Sequence, residues 1–246
     1  MIAFHVAKAE EWFTAGADSF DHVLTDPPYP EHVQREGVLL TGTKGPRQRG
    51  AVQDVSAGFD PLTDLAFVAP LVALARRWSL FHCSLESLGD YRRASEQHWI
   101  RSCIYHKARA MPQLTADRPG SRCEGMALFH NTETKKAWNR GGKHNTFYAN
   151  PANRKETLHP TGKPLALCMA IVEAFTLPGE LIADPFCGTG TYGLACYLLG
   201  RRYVGGDTDP AHIASAKLRL ANLDTAKELA RYEASKDKEK GWNPDD

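Results

Sequence analysis

The stretch "LIADPFCGTGTYGLACYLLGRRYVGGDTDP", from Leu181 to Pro210, decides the fold. It begins with a short apolar run at 181–183, continues through a glycine-containing turn at 184–190 and a helical pattern at 191–199, and ends in a second apolar run before Asp207. A strand, a glycine turn, a helix and a second strand in this order are typical of a nucleotide-binding unit. We therefore expect this stretch to bind a nucleotide-like ligand at its turn.

Apolar runs followed by helical patterns recur along the chain. Residues 23–24 and 80–81 indicate strands, and a helical pattern follows the second of them at 85–97. Strands that alternate with helices favour an α/β fold with a mainly parallel sheet. The segments "WIRSCIYHKA" (99–108) and "EGMALFHN" (124–131) predict two further strands, paired as an antiparallel hairpin at the edge of the sheet.

The composition predicts one folded domain. Of the 246 residues, 42% are hydrophobic and 24% charged, as in ordinary globular proteins, so we expect a single domain over 1–235 and a polar tail over 236–246. No apolar run approaches the roughly 20 residues that cross a bilayer, and the first residues lack a signal-peptide pattern, so we expect a cytoplasmic protein. The six cysteines are far apart and have no histidines at ligand spacing, so we expect neither a metal site nor a disulfide framework.

The glycine turn indicates the kind of ligand. Gly188 and Gly190 would let the backbone approach a ligand closely, and Asp207 would accept hydrogen bonds from ribose hydroxyls. Asp184 would repel a pyrophosphate and suits a ligand with an amino group and no phosphate, such as S-adenosyl-L-methionine. The alternative is a turn that only closes the corner between strand and helix. The expected cofactor-binding residues are Asp184, Pro185, Phe186, Gly188, Gly190, Thr191 and Asp207.

A second segment upstream is also expected at the cofactor. "HPTGKP" (159–164) leads into the apolar helical run "LALCMAIVEAF", and Pro164 suits the first turn of that helix. The residues before it, His159, Thr161 and Lys163, are expected to line the methionine end of the cofactor. Ordinary helix capping is the alternative interpretation.

Three motifs together resemble the amino-methyltransferases that modify exocyclic nitrogens of DNA bases. "DPPY" (Asp26–Tyr29) resembles their catalytic motif, "DPFCGTGT" (184–191) their cofactor turn, and "HPTGKP" the segment packed beside that turn. The order, with the catalytic motif first and the cofactor turn last, is similar to that of the β group of the family. The resemblance covers residues 20–222 and implies a Rossmann-like methyltransferase fold, S-adenosyl-L-methionine as cofactor and DNA as substrate.

The "DPPY" residues suit the activation of an amine. The exocyclic amine of adenine is a poor nucleophile because its lone pair is delocalised into the ring. Asp26 and the main-chain carbonyl of Pro27 can each accept one N–H, which leaves the lone pair out of the base plane. Pro27 and Pro28 make the loop rigid, and Tyr29 offers a face on which a flipped base stacks. The resemblance implies adenine, because the related cytosine enzymes usually begin this motif with Ser.

Two irregular segments, 31–60 and 131–158, are rich in basic residues and are expected to face nucleic acid. Phosphate contacts give affinity without sequence readout. Because so little sequence is left for recognition, we expect a short or relaxed target site. The expected nucleic-acid contacts are Arg35, Lys44, Arg47, Arg49, Lys135, Lys136, Arg140 and Lys143.

Other functions remain open at this point. Methylation of N4 of cytosine and methylation of adenine in RNA use the same kind of pocket. A subunit that binds cofactor and nucleic acid without catalysis is an alternative from another class, although such a module has no need of Asp26 and Tyr29. A homodimer is compatible with the resemblance.

Overall fold

The computed structural model describes residues 1–14, 19–29, 64–107, 110, 119–131, 134–152 and 162–240. These residues form an eight-stranded sheet with the order β1-β8-β7-β2-β3-β5-β4-β6. All neighbouring strands are parallel except at β5, which runs antiparallel to both β3 and β4. The strands are Ile2–Val6 (β1), His22–Thr25 (β2), Trp78–Cys83 (β3), Trp99–Lys107 (β4), Cys123–His130 (β5), Thr146–Ala149 (β6), Leu181–Asp184 (β7) and Arg202–Asp207 (β8).

Helices cover both faces of this sheet. Side chains alternate along a strand, so Val23 of β2 points into one core and Leu24 into the other. The first core also contains α1 and α2, whereas the second contains α3, α4 and α5. The α-helices are Val68–Leu74 (α1), Leu88–Ala94 (α2), Leu165–Phe175 (α3), Thr191–Leu198 (α4), Pro210–Ala221 (α5) and Thr225–Lys240 (α6), and short 3-10 helices lie at Ala9–Thr14 and Glu96–His98.

The α/β fold with a mainly parallel sheet is confirmed, and the strand–turn–helix–strand unit forms where the sequence predicts it. The antiparallel hairpin also forms, but its position at the sheet edge is wrong. β4 has a further neighbour, β6, which pairs with it in parallel and comes from the segment 131–158 that we expected to be a loop. β6 has only four residues, too few to show a clear alternation in the sequence.

The chain end is more ordered than its composition indicates. Helix α6 continues to Lys240, five residues into the expected polar tail 236–246. Lys236 ties this helix to α3 through an ion pair of 2.9 Å with Glu173. None of the described helices is long and apolar enough to span a membrane. All six cysteines have free thiols, and only Cys123 is not buried.

Candidate active site

The "DPPY" segment and the glycine turn lie at the same edge of the sheet. β2 and β7 are neighbouring parallel strands, so the chain leaves both at this edge, which we call the carboxyl edge. Thr25, the last residue of β2, donates a 2.6 Å hydrogen bond from its hydroxyl to Oδ1 of Asp184, the last residue of β7. The predicted catalytic and cofactor segments are therefore brought together.

Asp26 is held by the lysine of the "HPTGKP" segment. Lys163 Nζ lies 2.8 Å from Oδ1 and 2.7 Å from Oδ2 of Asp26. The side chains of Asp26 and Lys163 are 26% and 10% exposed, so the pair is largely shielded from water. Burial raises the pKa of Asp26, and the positive charge of Lys163 opposes that rise. We expected Lys163 at the cofactor, but the structure places its ammonium on the carboxylate of Asp26.

A second carboxylate, Glu124 at the start of β5, completes this cluster. Its Oε2 accepts a 3.2 Å hydrogen bond from the hydroxyl of Tyr29 and lies 3.5 Å from Lys163 Nζ. Its Oε1 lies 2.7 Å from Nζ of Lys107, the last residue of β4. Burial opposes ionisation of Glu124, but Lys163 and Lys107 together lower its pKa to about 2. Glu124 therefore has three side-chain partners. It accepts a hydrogen bond from Tyr29 and forms ion pairs with Lys163 and Lys107.

Lys163 also lies against the ring of Tyr29, with Nζ 5.1 Å from the ring centroid. This distance is within the range of a cation–π contact. Pro27 is buried and Pro28 is half-buried. The ammonium thus contacts both Asp26, the predicted amine acceptor, and Tyr29, the predicted stacking surface.

Asp184 has a different position from the one expected. It is only 2% exposed, and its oxygens accept hydrogen bonds from Thr25 and from the hydroxyl of Tyr203, the latter at 2.9 Å. Burial raises its pKa to about 7, although these hydrogen bonds act in the opposite direction. Asp184 thus fastens the glycine turn to β2 and β8, and its carboxylate faces inward instead of presenting both oxygens to a ligand.

The two glycines of the turn have different reasons to be glycine. Both have positive φ, 50° at Gly188 and 78° at Gly190. A Cβ on Gly188 would meet no atom within 4 Å, so this backbone is open to a ligand. A Cβ on Gly190 would lie 2.7 Å from Phe4 and from Ala216, so that glycine is required by packing. The Cβ direction of Gly190 thus points into the protein, and approach of a ligand to its backbone stays a prediction.

Asp207 ends β8 at the carboxyl edge, as the sequence predicts. Its Oδ2 accepts a 3.0 Å hydrogen bond from the backbone N–H of Gly188, and its Oδ1 accepts one of 2.9 Å from that of Asp209. A carboxylate oxygen has room for two such bonds, and His212 Nδ1 lies 3.2 Å from Oδ1. Among the described residues, an acceptor position therefore remains on Oδ2.

The other expected residues of the glycine turn pack against the protein at the carboxyl edge. Pro185 is buried, and Phe186 is half-buried and packs edge-on against Phe67, with their centroids 5.4 Å apart. Thr191, the first residue of α4, is buried, and its hydroxyl is 3.1 Å from the guanidinium of Arg219 on α5. We expected Thr191 at the ligand, but in the structure it anchors the helix to α5.

Residues 86–218 match the DNA methylase family of N6 and N4 methyltransferases. The chain belongs to this family. The matched region includes Glu124, Lys163, the glycine turn and Asp207, and it covers more than half of the chain. The sequence resemblance to the DNA amino-methyltransferases is confirmed.

Individual relatives agree with this assignment. Type II methyltransferase M.XycI of Xanthomonas campestris pv. cyanopsidis is 32% identical over 133 residues, which are 50% of this chain and 44% of that protein. The chain spans about half the length of the curated relatives that it matches: 44% of M.XycI and 47% of Type II methyltransferase M.Cfr9I of Citrobacter freundii.

Two solved structures share the fold of this DNA methylase. M1.HpyAVI, solved as its SAM complex, superposes with a TM-score of 0.67 at 22% identity and covers 91% of this chain and 100% of that one. The PvuII DNA methyltransferase, described as cytosine-N4-specific, superposes with a TM-score of 0.63 at 14% identity and covers 94% of this chain and 90% of that one. The methyltransferase fold expected from the sequence is therefore confirmed.

The basic residues expected to face nucleic acid are not all near Asp26. Lys135 and Lys136 follow β5, whose last residue, His130, pairs with Trp78 at the beginning of β3. They therefore lie at the amino edge of the parallel strands, opposite to Asp26. Arg140 and Lys143 precede β6 at the same amino edge, because β6 runs parallel to β4 towards the carboxyl edge. These four residues therefore lie at the opposite edge of the sheet from Asp26, and their contact with nucleic acid stays a prediction.

Basic residues that the sequence reasoning missed lie at the carboxyl edge of this methylase. Lys107 ends β4 there, and the exposed Arg122 precedes β5 there and accepts a 2.8 Å hydrogen bond from the backbone N–H of Lys107 at its own carbonyl. The sequence signal was the position of both residues at the turn of the predicted hairpin.

Several expected site residues lie outside the described part of the chain. They are His159, Thr161, Arg35, Lys44, Arg47 and Arg49, together with the segment 31–60. Two residues that organise the site were also missed. Thr25 and Glu124 are polar residues next to buried runs, and their partners became visible only once the strand order was known.

Proposed function

We propose that this chain transfers a methyl group from S-adenosyl-L-methionine to N6 of adenine in DNA, after the target base has left the duplex. The observation that carries the proposal is the shared edge of β2 and β7, where Asp26 directly follows Thr25 and Thr25 is hydrogen-bonded to Asp184 of the glycine turn. Direct transfer of a methyl group requires that the two bound molecules lie side by side. A hydrogen-bond acceptor for the target amine and a nucleotide-binding turn at adjacent strand ends meet this requirement. Ligands of open α/β sheets bind at such carboxyl ends.

Asp26 and the carbonyl of Pro27 are the proposed acceptors for the two N–H groups of the target amine. When both protons are held in the base plane, the lone pair of the nitrogen is free to point out of that plane. Methylation leaves one proton too many on the nitrogen, and we propose that the carboxylate of Asp26 takes it. Burial raises the pKa of Asp26, which favours this transfer.

The residues of the glycine turn fit the cofactor. Gly188 leaves open space beside its backbone, and the free acceptor position on Oδ2 of Asp207 suits a ribose hydroxyl. The family is S-adenosylmethionine-dependent, and M1.HpyAVI was solved with SAM. The bound cofactor would supply an electrophilic methyl group. We propose that Asp184 contributes to cofactor binding by holding the glycine turn against β2 and β8. Pro185, Phe186 and Thr191 are proposed to stabilise the same turn by packing.

DNA is proposed to lie along the carboxyl edge. A base inside a duplex cannot reach Asp26, so the target nucleotide must be flipped out, at a cost of a few kcal/mol that stacking on Tyr29 partly offsets. Arg122 at this edge is exposed and suits a phosphate contact. Membership of the DNA methylase family supports a DNA substrate.

N4 of cytosine is the second candidate, because the PvuII enzyme with this fold is described as specific for that atom. Both atoms are exocyclic amines next to a ring nitrogen, and Asp26 can accept from either. The test is incorporation of labelled methyl groups from S-adenosyl-L-methionine into plasmid DNA and into RNA, followed by nucleoside analysis. N6-methyladenine in DNA is the expected product. N4-methylcytosine would instead identify cytosine as the target base. No incorporation into either polymer would refute the proposal.

A further inference from the structure

Lys163 contacts the two side chains that a target base needs, the carboxylate of Asp26 and the ring of Tyr29. Its ammonium contacts both oxygens of Asp26 at 2.7–2.8 Å and lies 5.1 Å from the ring centroid of Tyr29. An ammonium, like an exocyclic amine, donates N–H groups to a carboxylate and has no acceptor of its own. In this state Lys163 takes the place of the substrate nitrogen.

We propose that Lys163 is a placeholder for the target amine, and that Glu124 is the positioning residue that receives the ammonium of Lys163 when a base enters. This inference rests on the proposed function and goes beyond it, because it assigns a role to a residue outside the "DPPY" motif and the glycine turn.

The distances support a short transfer. Lys163 Nζ is 3.5 Å from Oε2 of Glu124, whereas its contacts with Asp26 are 2.7–2.8 Å. A charge-assisted N–H to carboxylate bond is about 2.7–2.9 Å long, so the ammonium needs to move by less than about 1 Å to bond to Glu124. A rotation about the terminal bonds of the lysine side chain covers that distance and, continued to the side of Oε2 that faces away from Asp26, carries the ammonium clear of the space that an amine nitrogen at Asp26 requires.

The charges support the same exchange. The cluster contains two carboxylates, Asp26 and Glu124, and two ammonium groups, Lys163 and Lys107. Moving Lys163 from one carboxylate to the other leaves this balance unchanged. If Lys163 left the cluster for water instead, Asp26 and Glu124 would face each other with less compensation at a mostly buried site, which is costly. Glu124 thus lets Asp26 give up its partner without losing the nearby positive charge.

Glu124 also connects this exchange to Tyr29. The hydroxyl of Tyr29 donates to the same oxygen, Oε2, that lies nearest to Lys163. When the ammonium moves to Oε2, it leaves the oxygens of Asp26 open and comes closer to the hydroxyl end of the tyrosine. Entry of the base and departure of the ammonium are therefore coupled at one carboxylate.

The chain contains a matched control at the opposite edge. Lys236 Nζ lies 4.4 Å from the ring centroid of Tyr232 and 2.9 Å from Glu173, and the hydroxyl of Tyr232 donates to Glu173 at 2.8 Å. This is the same combination of Lys, Tyr and Glu, on α3 and α6, without Asp26. Changes in this second cluster therefore measure the general effect of losing such a contact.

The experiment is steady-state methylation of plasmid DNA with labelled S-adenosyl-L-methionine by the wild type, Glu124→Gln, Glu124→Gln with Lys163→Met, and Lys236→Met. Gln keeps the shape of Glu124 and the hydrogen bond from Tyr29, but it removes the charge that draws Lys163 away. We expect Glu124→Gln to raise the KM for DNA at least tenfold, because Lys163 stays on Asp26. The double variant should return the KM to within about threefold of the wild type, and Lys236→Met should leave it within twofold.

The outcomes separate this inference from the proposed function. No labelled DNA from the wild type would refute the proposed function itself. Labelling by the wild type with an unchanged KM in Glu124→Gln, or a KM in the double variant as high as in Glu124→Gln alone, would overturn the exchange. Thermal unfolding of each variant shows that it is folded; if Glu124→Gln is not, Glu124→Asp, which withdraws the carboxylate by one methylene, takes its place with the same expectation.

Discussion

Lys163 and Asp26 are 137 positions apart in the sequence, yet the ammonium of one lies within 2.8 Å of both carboxylate oxygens of the other. The pair joins the segment before α3 to the loop after β2, and it lies between the glycine turn and the start of β5. Burial raises the pKa of Asp26, and the ammonium of Lys163 acts in the opposite direction, in favour of the carboxylate. A carboxylate accepts hydrogen bonds, whereas a protonated acid would donate one.

Replacing Asp26 should remove methyl transfer and leave cofactor binding intact. Asp26→Ala takes away the acceptor of one amine N–H, so we expect kcat to fall at least about 100-fold. Calorimetric titration with S-adenosyl-L-methionine should give an affinity within threefold of the wild type. Asp90→Ala, which removes an exposed carboxylate of α2, is the control. Equal labelling of DNA by Asp26→Ala and the wild type would disprove the role of Asp26.

The buried Asp184 should make stability depend on pH. Its pKa is raised to about 7 in the folded protein, above the value of 3.8 in an unfolded chain. The folded state therefore binds the proton more tightly, and this contribution to stability is present below about pH 4 and is lost as the pH rises through about 7. Relative to Asp184→Asn, the wild type should lose on the order of 2 kcal/mol of unfolding free energy between pH 5 and pH 8. Urea unfolding at each pH measures this, and parallel pH profiles for the two proteins would contradict it.

The glycines of the turn should respond differently to alanine. Gly188→Ala and Gly200→Ala both place a side chain at positive φ in open space, so each should cost about 1–2 kcal/mol of stability. Gly188→Ala should weaken binding of S-adenosyl-L-methionine by at least tenfold. Gly200→Ala should leave it unchanged, because Gly200 lies in a different turn, between α4 and β8. Gly190→Ala should cost more stability than either, since its Cβ meets Phe4 and Ala216 at 2.7 Å. Equal cofactor affinity in Gly188→Ala and Gly200→Ala would exclude the open backbone as part of the site.

The hydroxyl of Thr25 should stabilise the junction of the two motifs. Thr25→Val keeps the shape of the side chain and removes the 2.6 Å hydrogen bond to Asp184, so we expect a loss of about 1–3 kcal/mol. The control is Ser79→Ala on the neighbouring strand β3, because Oγ of Ser79 is buried without a hydrogen-bond partner among the described residues. That change should be neutral or stabilising. The measurement is denaturant unfolding; a loss no larger for Thr25→Val than for Ser79→Ala would argue against the junction.

The side on which DNA binds can be tested with two exposed cations. Arg122→Ala at the carboxyl edge should weaken DNA binding and reduce the slope of log K against log salt by about 1, as the loss of one phosphate contact does. Lys135→Ala at the amino edge should leave the slope unchanged. Fluorescence anisotropy with labelled duplex DNA over a series of salt concentrations measures both. A larger effect of Lys135→Ala would place the DNA at the other edge.

The sequence predicted the parts of the site that depend on strand ends. "DPPY" and the glycine turn each follow an apolar run, and parallel strands bring their carboxyl ends to one edge, so the meeting of Asp26 with the turn was foreseeable. The sequence could not give the reason for glycine at position 190, because positive φ, ligand approach and tight packing all select glycine. Only the positions of Phe4 and Ala216 distinguish among these reasons.

The parts that the sequence did not predict depend on contacts between distant segments. Lys163 was expected at the cofactor, since nothing local to "HPTGKP" indicates that Asp26 lies within its reach. Glu124 was predicted only as part of the strand at 124–131. Lys135 and Lys136 lie at the amino edge because the antiparallel strand β5 ends there, and β6, with four residues, carries too little pattern to show that the chain then returns towards the carboxyl edge.

The pairing of β1 with β8 has a consequence for synthesis. Ile2 lies beside Tyr203, so the first strand of the chain waits for a partner that is translated about 200 residues later. At roughly 5–20 residues per second, that delay is about 10–40 s. During this time a nascent chain already carries the loop with Asp26 but not the turn that follows β7. A chain whose synthesis stops before residue 181 would therefore carry the loop of Asp26 without the glycine turn, and so only half of the proposed site.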